Sequence, residues 1–187
     1  MRHLATFGAA LALFAWVGAV PAAEIGDDGL HKAPWMVETF KDLREDLGEA
    51  NAEGKRLMVI VEQRGCIYCT QMHEEVFVEE DIAAMLSEEY FVVQMNMFGD
   101  VEVTDFDGES LSEKEAVRKW GLNFTPTLMF LPEDVAEDVD AGDAAVATIP
   151  GAFGPGTTRN MLTWVLEHGY DGEEGFQAYH ARKLNGG

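Results

Sequence analysis

The sequence predicts an α/β protein with a central mixed β-sheet of about four to five strands flanked by helices. A continuous apolar run at 57–61 and the mainly apolar segments 90–97 and 127–131 are typical of buried strands. Segments in which apolar residues recur at helical spacing alternate with these runs. The chain has 187 residues, of which 47% are hydrophobic, and this is enough for one domain with a substantial core.

The individual elements follow from the apolar spacing and from the turn residues between them. Helices are predicted at 34–50, 69–77, 82–86 and 112–121, with a short one within 172–184. The helix at 112–121 begins with a capping box formed by Ser112 and Glu115 and ends at Gly121. A last long helix is predicted to begin at Thr157 or Thr158 and to end at Leu166. A fourth strand, of edge character, is predicted at 144–149. The acidic stretches 98–112 and 133–143 are predicted to be exposed loops, and 105–109 within the first lacks the full ligand series of a calcium loop.

The N-terminus has the composition of a secretory signal. A positively charged start is followed by an uncharged stretch at 4–20 and by a small-residue exit at Ala22 and Ala23. We expect residues 1–22 to be cleaved, with Ala23 as the other possible cleavage point, which leaves 23–187 as a single domain. A retained anchor helix is the alternative, but the uncharged stretch is short for a span of about 20 residues. The expected location is the bacterial periplasm, where cysteine pairs can be oxidised.

Charge and cysteine count exclude several classes of protein. The chain has 13 basic and 34 acidic residues, a net charge of −21. Binding duplex or transfer RNA requires a basic face, which this composition can hardly supply, and docking on anionic lipid is disfavoured for the same reason. Two cysteines exclude a disulfide-dense scaffold and a four-cysteine zinc site. We therefore expect no nucleic-acid partner, and we expect a monomer.

The chemistry that the sequence predicts lies at Cys66 and Cys69. They form a Cys-x-x-Cys motif between a buried strand and a helix, a context typical of redox motifs. Backbone N–H groups and the dipole at a helix N-terminus stabilise a thiolate, which lowers its pKa below the free value of about 8.5. We predict that Cys66 is the exposed nucleophile and Cys69 the buried resolving cysteine. The disulfide itself is the redox group, so no separate cofactor or metal is expected.

Three other interpretations of the motif are weaker. A structural disulfide would close too small a loop to stabilise the fold much. Covalent haem requires a histidine directly after the second cysteine, and Thr70 stands there. A copper-binding protein would use Cys66, Cys69 and His73, which lie at i, i+3 and i+7. We expect His73 to be a surface or packing residue instead.

A second signal is the segment Phe124-Thr125-Pro126-Thr127. A proline directly before a buried strand suits a turn whose X–Pro bond is cis. Pro126 comes 57 residues after Cys69, that is, after one further helix–strand–helix unit.

With these motifs the chain resembles the thioredoxin family over roughly residues 35–166. The resemblance implies a thioredoxin-like fold in which the first cysteine attacks and the second resolves. It also implies that the loop of a cis-proline faces the disulfide and lines the substrate groove. By motif, these positions are Cys66, Cys69 and Pro126, with Thr125 before the proline.

Within this family the segments 55–58, 62–69, 101–109 and 119–127 are most similar to the SoxW-type periplasmic thioredoxins of bacterial sulfur oxidation. That resemblance implies a reductant of protein partners with cysteines or disulfides, among them a sulfur-oxidation carrier protein. It also implies a membrane thiol transporter of the CcdA/SoxV type as the electron donor. The alternative within the same chemistry is a disulfide oxidase or isomerase.

Two departures from thioredoxin concern the site. Ile67 and Tyr68 replace the usual Gly-Pro between the cysteines, and Tyr68 is a candidate for contact with a partner or for covering the helix start. The buried aspartate of thioredoxin would align with Ile60. Glu62, two residues on and on the same strand face, is a candidate proton acceptor. The alternative is that Glu62 forms the exposed end of the strand.

Overall fold

A computed structural model describes residues 23–186 of the chain. The predicted signal peptide, residues 1–22, lies outside the described residues. Within the described part, every helix is too short or too polar to cross a membrane.

The described part of the chain contains both strands and helices. The strands are β1 (Glu24–Ile25), β2 (His31–Lys32), β3 (Arg56–Glu62), β4 (Tyr90–Asn96), β5 (Glu102–Thr104), β6 (Ser110–Ser112), β7 (Thr127–Phe130) and β8 (Ala147–Pro150). The α-helices are α1 (Leu43–Ala52), α2 (Ile67–Gln71), α3 (Glu80–Glu88), α4 (Glu113–Lys119), α5 (Ala141–Ala144), α6 (Pro155–Leu166) and α7 (Phe176–Leu184). A π-helical turn (Met72–Val76) continues α2, and a 3₁₀ turn (Gly169–Asp171) follows α6.

The central sheet has four strands in the order β4-β3-β7-β8. β3 runs parallel to β4 and antiparallel to β7, and β7 runs antiparallel to β8. In this register Val59 pairs with Val93 on one side and with Met129 on the other. The predicted mixed sheet is thereby confirmed. β3 is buried along its whole length, which explains its continuous apolar run.

Two apolar clusters cover the two faces of the sheet. Met58 and Ile60 of β3 belong to the first cluster, which holds α3 and α6 against the sheet. Val59 and Val61 belong to the second, which holds α1 and α4. This division follows from the two-residue period of a strand. Burying each large apolar side chain contributes about 1.5–3 kcal/mol, so the three layers are held mainly by these clusters.

The helix predicted at 34–50 is wrong in its first half. α1 begins only at Leu43, where the Asp42 carboxylate accepts hydrogen bonds from two N–H groups of the first turn. Before that point the chain is not helical: it makes a turn at 34–35, and Met36 forms a bridge beside Val92 of β4. Phe40 is consequently 94% exposed. The apolar spacing in this stretch therefore reflects pairing at a sheet edge and not the face of a helix.

Other boundaries differ in smaller ways. The stretch predicted as the loop 98–112 contains the hairpin β5–β6, and Asp105 between its strands is fully buried. The predicted loop 133–143 ends in α5. The last long helix begins at Pro155 and not at Thr157 or Thr158, because proline suits the first helical position and Gly154 precedes it as N-cap.

Asp46 is a buried carboxyl group in α1, and its burial raises its pKa to about 7. The folded state therefore retains a proton that the unfolded chain releases near pH 3.9. Since the pKa is raised, ionisation of Asp46 costs stability progressively as the pH rises from about 4 through about 7. We expect Asp46→Asn to raise the free energy of unfolding by about 2–4 kcal/mol at a pH of about 8.5 and to change it little at about pH 4.

Urea unfolding at these two pH values measures the effect. Glu88→Gln, which neutralises an exposed acid in α3, serves as the matched control and should change stability little at either pH. Equal effects of Asp46→Asn at both pH values would contradict the assignment.

Candidate active site

Cys66 and Cys69 form a disulfide where β3 leads into α2, with their Cα atoms 5.2 Å apart. Gly65, at φ +71°, makes the tight turn that precedes Cys66. Cys66 is the N-cap residue of α2, and its Sγ accepts a hydrogen bond from the N–H of Cys69 at 3.0 Å. The helix thus directs a backbone N–H at this sulfur. The same contact stabilises a Cys66 thiolate once the disulfide is reduced.

The two sulfurs differ less in exposure than the sequence predicts. Cys66 is only 6% exposed and Cys69 is fully buried. The loop before β7 contributes to this cover, because Thr125 Oγ1 donates a hydrogen bond to Cys66 Sγ at 3.4 Å. Of the two cysteines, Cys66 is the one that keeps some exposed surface. The prediction that Cys66 is exposed is therefore wrong, because the loop before β7, which is distant in sequence, covers it.

The loop that faces the disulfide contains the predicted cis bond, between Thr125 and Pro126. Pro126 is buried directly before β7, while Phe124 on the other side of Thr125 is exposed. Between the cysteines, Ile67 is exposed and Tyr68 is 57% exposed, which leaves Tyr68 available for contact with a partner. Large exposed apolar side chains on both segments that meet at Cys66 form a surface suited to contact with a protein.

Glu62, at the end of β3, is fully buried, so the alternative of an exposed strand end is wrong. Its Oε2 accepts a hydrogen bond from Gln94 Nε2 at 2.6 Å, and its Oε1 lies 3.0 Å from His73 Nε2. The N-terminal hairpin β1–β2 covers it, because Gln94 Nε2 also donates to the backbone carbonyl of His31 at 2.8 Å.

His31, Glu62 and His73 together form what we call the histidine cluster. The imidazole rings of His31 and His73 are stacked, with centroids 4.4 Å apart and planes 13° apart. The Trp35 ring also lies parallel to His73, at 5.9 Å. His73 is therefore a buried packing residue with a polar partner. His31 is a site residue that sequence reasoning missed, because it lies far from the motif and no local pattern marks it.

The donor atoms of the histidine cluster lie close enough together to hold a metal ion. The ring geometry does not suit one. A metal ion lies in the plane of each imidazole that binds it, and two stacked rings with nearly parallel planes and centroids 4.4 Å apart share no such position. The copper site of Cys66, Cys69 and His73 has no support either. His73 directs its Nε2 to Glu62, and the two sulfurs are joined.

The Thr125 contact to sulfur predicts a measurable effect. Removing the hydroxyl with Thr125→Val takes a hydrogen bond from the Cys66 thiolate while nearly keeping the volume of the side chain, and such a bond contributes about 1 kcal/mol. We expect alkylation of reduced Cys66 by iodoacetamide near pH 7 to slow about fivefold. Thr127→Val serves as the control, because the Thr127 hydroxyl donates to the Phe124 carbonyl and not to sulfur. An unchanged rate in Thr125→Val would contradict the role of this contact.

Comparisons with known proteins agree with this geometry. The thioredoxin-like domain family matches residues 43–140, slightly more than half of the chain. A thioredoxin-fold protein from Helicobacter pylori is similar in structure, with a TM-score of 0.54 and 16% identity, over 71% of this chain and 86% of that one. A thioredoxin from Thermus thermophilus has a TM-score of 0.53 and 21% identity, over 68% of this chain and 86% of that one. No curated protein matches the chain. At such identities the structural likeness shows the fold alone, and it confirms the predicted thioredoxin-like fold.

Proposed function

The chain belongs to the thioredoxin-like domain family, and from that premise we propose that it reduces disulfides of partner proteins as a thiol–disulfide oxidoreductase. One observation carries the proposal. The Cys66–Cys69 disulfide lies at the N-terminus of α2, directly opposite the loop of the cis peptide before Pro126. This arrangement stabilises a thiolate at one sulfur, buries the other and leaves an apolar surface beside both.

The proposed reaction has two exchange steps. The Cys66 thiolate attacks a partner disulfide, so that the partner's S–S bond breaks and a mixed disulfide forms at Cys66. Cys69 then attacks Cys66 Sγ, which releases the partner's remaining sulfur as a thiolate and forms the Cys66–Cys69 disulfide. Two electrons pass to the partner, and the redox group is the disulfide itself. A separate electron donor must then reduce the pair again.

The surface around the disulfide supports a protein substrate. Ile67, Tyr68 and Phe124 offer apolar contact next to Cys66, and we propose that the loop of Thr125 and Pro126 borders the substrate groove, with Thr125 in contact with Cys66 Sγ as support. The net charge of −21 favours partners whose own surfaces are basic, since complementary charge speeds encounter.

We further propose a SoxW-type role for the protein. In that role it acts as a monomer in the periplasm on a sulfur-oxidation carrier protein. Its electrons come from a membrane thiol transporter of the CcdA/SoxV type. The support for this narrower proposal is the sequence resemblance around both motifs and the signal-like composition of residues 1–22.

The equilibrium potential of the cysteine pair in glutathione or dithiothreitol buffers tests the direction of electron flow. A reductant should have a potential near −270 mV, and the reduced protein should reduce insulin. A potential near −120 mV would contradict the reductant and assign a disulfide oxidase. Failure of the pair to exchange with either buffer would overturn the oxidoreductase altogether.

A further inference from the structure

A groove runs between the edge strand β8 and helix α7, on the face of the sheet that α6 covers, and it has a volume of about 540 Å³. Its main apolar side chains are those of Ile149, Phe153, Met161, Trp164 and Phe176. Charged residues make up 25% of the chain, yet within residues 23–186 no aspartate, glutamate, lysine or arginine lines this groove. A cleft of this kind, with mostly apolar walls and few polar groups, is typical of a binding site.

One wall of the groove is an open sheet edge. β8 is the last strand of the central sheet, and within the described residues it pairs with β7 alone. The backbone groups of such an edge can pair with an extended chain, whose alternate side chains then point to one face of the sheet. Pro150 has no N–H, so this pairing is limited to the positions from Ala147 to Ile149. The edge and the groove together offer a short backbone contact and a pocket for a large side chain.

The groove begins beside the loop that faces the disulfide. Gly151, directly after β8, donates its N–H to the carbonyl of Pro126 at 2.7 Å. Phe153 donates its N–H to Sδ of Met72, three residues after Cys69, at 3.3 Å. From β3, which leads to the cysteines, a bound segment crosses two strand spacings, about 10 Å, to reach β8. At about 3.3 Å per residue, a side chain about three to seven residues from a partner's reactive cysteine reaches the groove.

The charge beside the groove indicates the chemistry of its occupant. The acidic stretch 133–143 precedes β8 and therefore lies toward the end of the strand that is away from the disulfide. Its exposed acids are Asp134, Glu137, Asp138 and Asp143, with Glu133. The sequence has no lysine or arginine between Lys119 and Arg159. Since opposite charges across an interface speed encounter and fix its register, basic residues next to the apolar side chain suit this surface.

We propose that this groove binds an extended segment of the partner protein whose disulfide Cys66 reduces. The segment places one large apolar side chain between β8 and α7, pairs briefly with the edge of β8 and carries lysine or arginine beyond that side chain. The groove lies outside the thioredoxin-like match, which ends at residue 140, because β8, α6 and α7 all follow it. This inference rests on the proposed oxidoreductase function and adds a second contact that selects among partners.

Synthetic peptides test the groove. Each peptide carries one cysteine in a mixed disulfide with a chromogenic aryl thiol, and a phenylalanine followed by lysines about three to seven residues away on either side. A matched series has serine in place of the phenylalanine. Release of the aryl thiolate, followed by stopped flow at increasing peptide concentration, reports attack by Cys66. At the best spacing we expect the apparent dissociation constant to be about tenfold lower with phenylalanine, at an unchanged limiting rate.

A pair of variants on α7 locates this preference. Gln177 is exposed and lines the groove, so Gln177→Arg introduces a charge into its wall and opposes a basic segment. We expect this variant to lose the tenfold preference for phenylalanine. Ala178→Arg is the matched control, because it adds the same charge at an exposed position of the same helix that does not line the groove. It should keep the preference.

The outcomes separate this inference from the proposed function. Failure of every peptide to release the aryl thiolate would overturn the oxidoreductase. Release without a preference for phenylalanine at any spacing, or a preference that Gln177→Arg retains, would overturn the groove alone.

A titration that needs no exchange chemistry tests the groove directly. The phenylalanine peptide with serine in place of its cysteine is added to isotope-labelled protein, and the amide NMR signals are followed. Shifts at Ala147, Thr148 and Gln177 support the groove, whereas shifts only elsewhere, or none, overturn it. Sedimentation of the free protein completes the test, because a dimer that Gln177→Arg dissociates would assign the groove to a second copy of the chain and overturn the proposal.

Discussion

Replacing Cys66 with serine is expected to abolish disulfide reduction, by at least ~10³-fold, because the attacking thiolate is lost. Replacing Cys69 with serine should have a different result. The first attack proceeds from Cys66, but no second thiol resolves the intermediate, so the partner stays covalently bound. The asymmetry follows from exposure and contacts, since Cys66 Sγ receives hydrogen bonds from the Cys69 N–H and from Thr125, while Cys69 is fully buried.

Insulin reduction measures the loss in both variants, and mass spectrometry of the reaction mixture measures the mixed disulfide. The expected covalent product appears with Cys69→Ser and not with Cys66→Ser. Equal trapping by the two variants would show that either cysteine can attack. Turnover of Cys69→Ser at the wild-type rate would show that Cys69 does not resolve the intermediate.

The second large effect concerns stability and lies at Asp105. This carboxylate is fully buried, and its Oδ2 accepts a hydrogen bond from Trp120 Nε1 at 2.8 Å. Its Oδ1 accepts from the N–H of Ala141 at 2.9 Å, and Lys119 Nζ lies 3.1 Å from Oδ2. Asp105→Ala leaves the N–H groups of Trp120 and Ala141 without an acceptor in the interior, whereas Lys119 keeps its exposed partners Asp107 and Glu109. We expect a loss of about 3–5 kcal/mol in the free energy of unfolding.

Asp107→Ala is the matched control for this substitution. Asp107 also pairs with Lys119, at 2.6 Å, but it is exposed, so its removal should cost less than about 1 kcal/mol. Urea unfolding of both variants tests the difference. A cost below about 1 kcal/mol for Asp105→Ala as well would contradict the assignment of Asp105 as the group that joins the β5–β6 hairpin to α4 and α5.

The sheet was predictable because its strands carry local signals. β3, β4 and β7 are buried along nearly their whole length, and each is a mainly apolar segment of the sequence. The stretch before α1 was not predictable in the same way. Apolar residues there recur at helical spacing, but Met36 pairs at the edge of β4 and Phe40 points into solvent. Local spacing does not distinguish a helix face from pairing with a distant strand.

The same distinction applies to the candidate site, where residues with a local sequence signal were predictable and the others were not. Cys66 and Cys69 were found because their spacing and position are local, and Pro126 because a proline directly before a strand is a local signal. The sequence left two alternatives for Glu62, since its burial depends on elements on either side of it. His31 carried no signal at all, because only the folded chain brings β2 over the end of β3.

The N-terminal hairpin also shows that the surroundings of the candidate site extend beyond the residues that match the family. The thioredoxin-like match begins at residue 43, yet His31 and Trp35, which stack on or beside His73, both precede it. A minimal domain cut at the family boundary would retain both cysteines and the cis-proline loop but would open Glu62 to water. In this protein the segment before the family match packs into the interior beside the site, so trimming the chain to the matched residues removes side chains that cover Glu62 and His73.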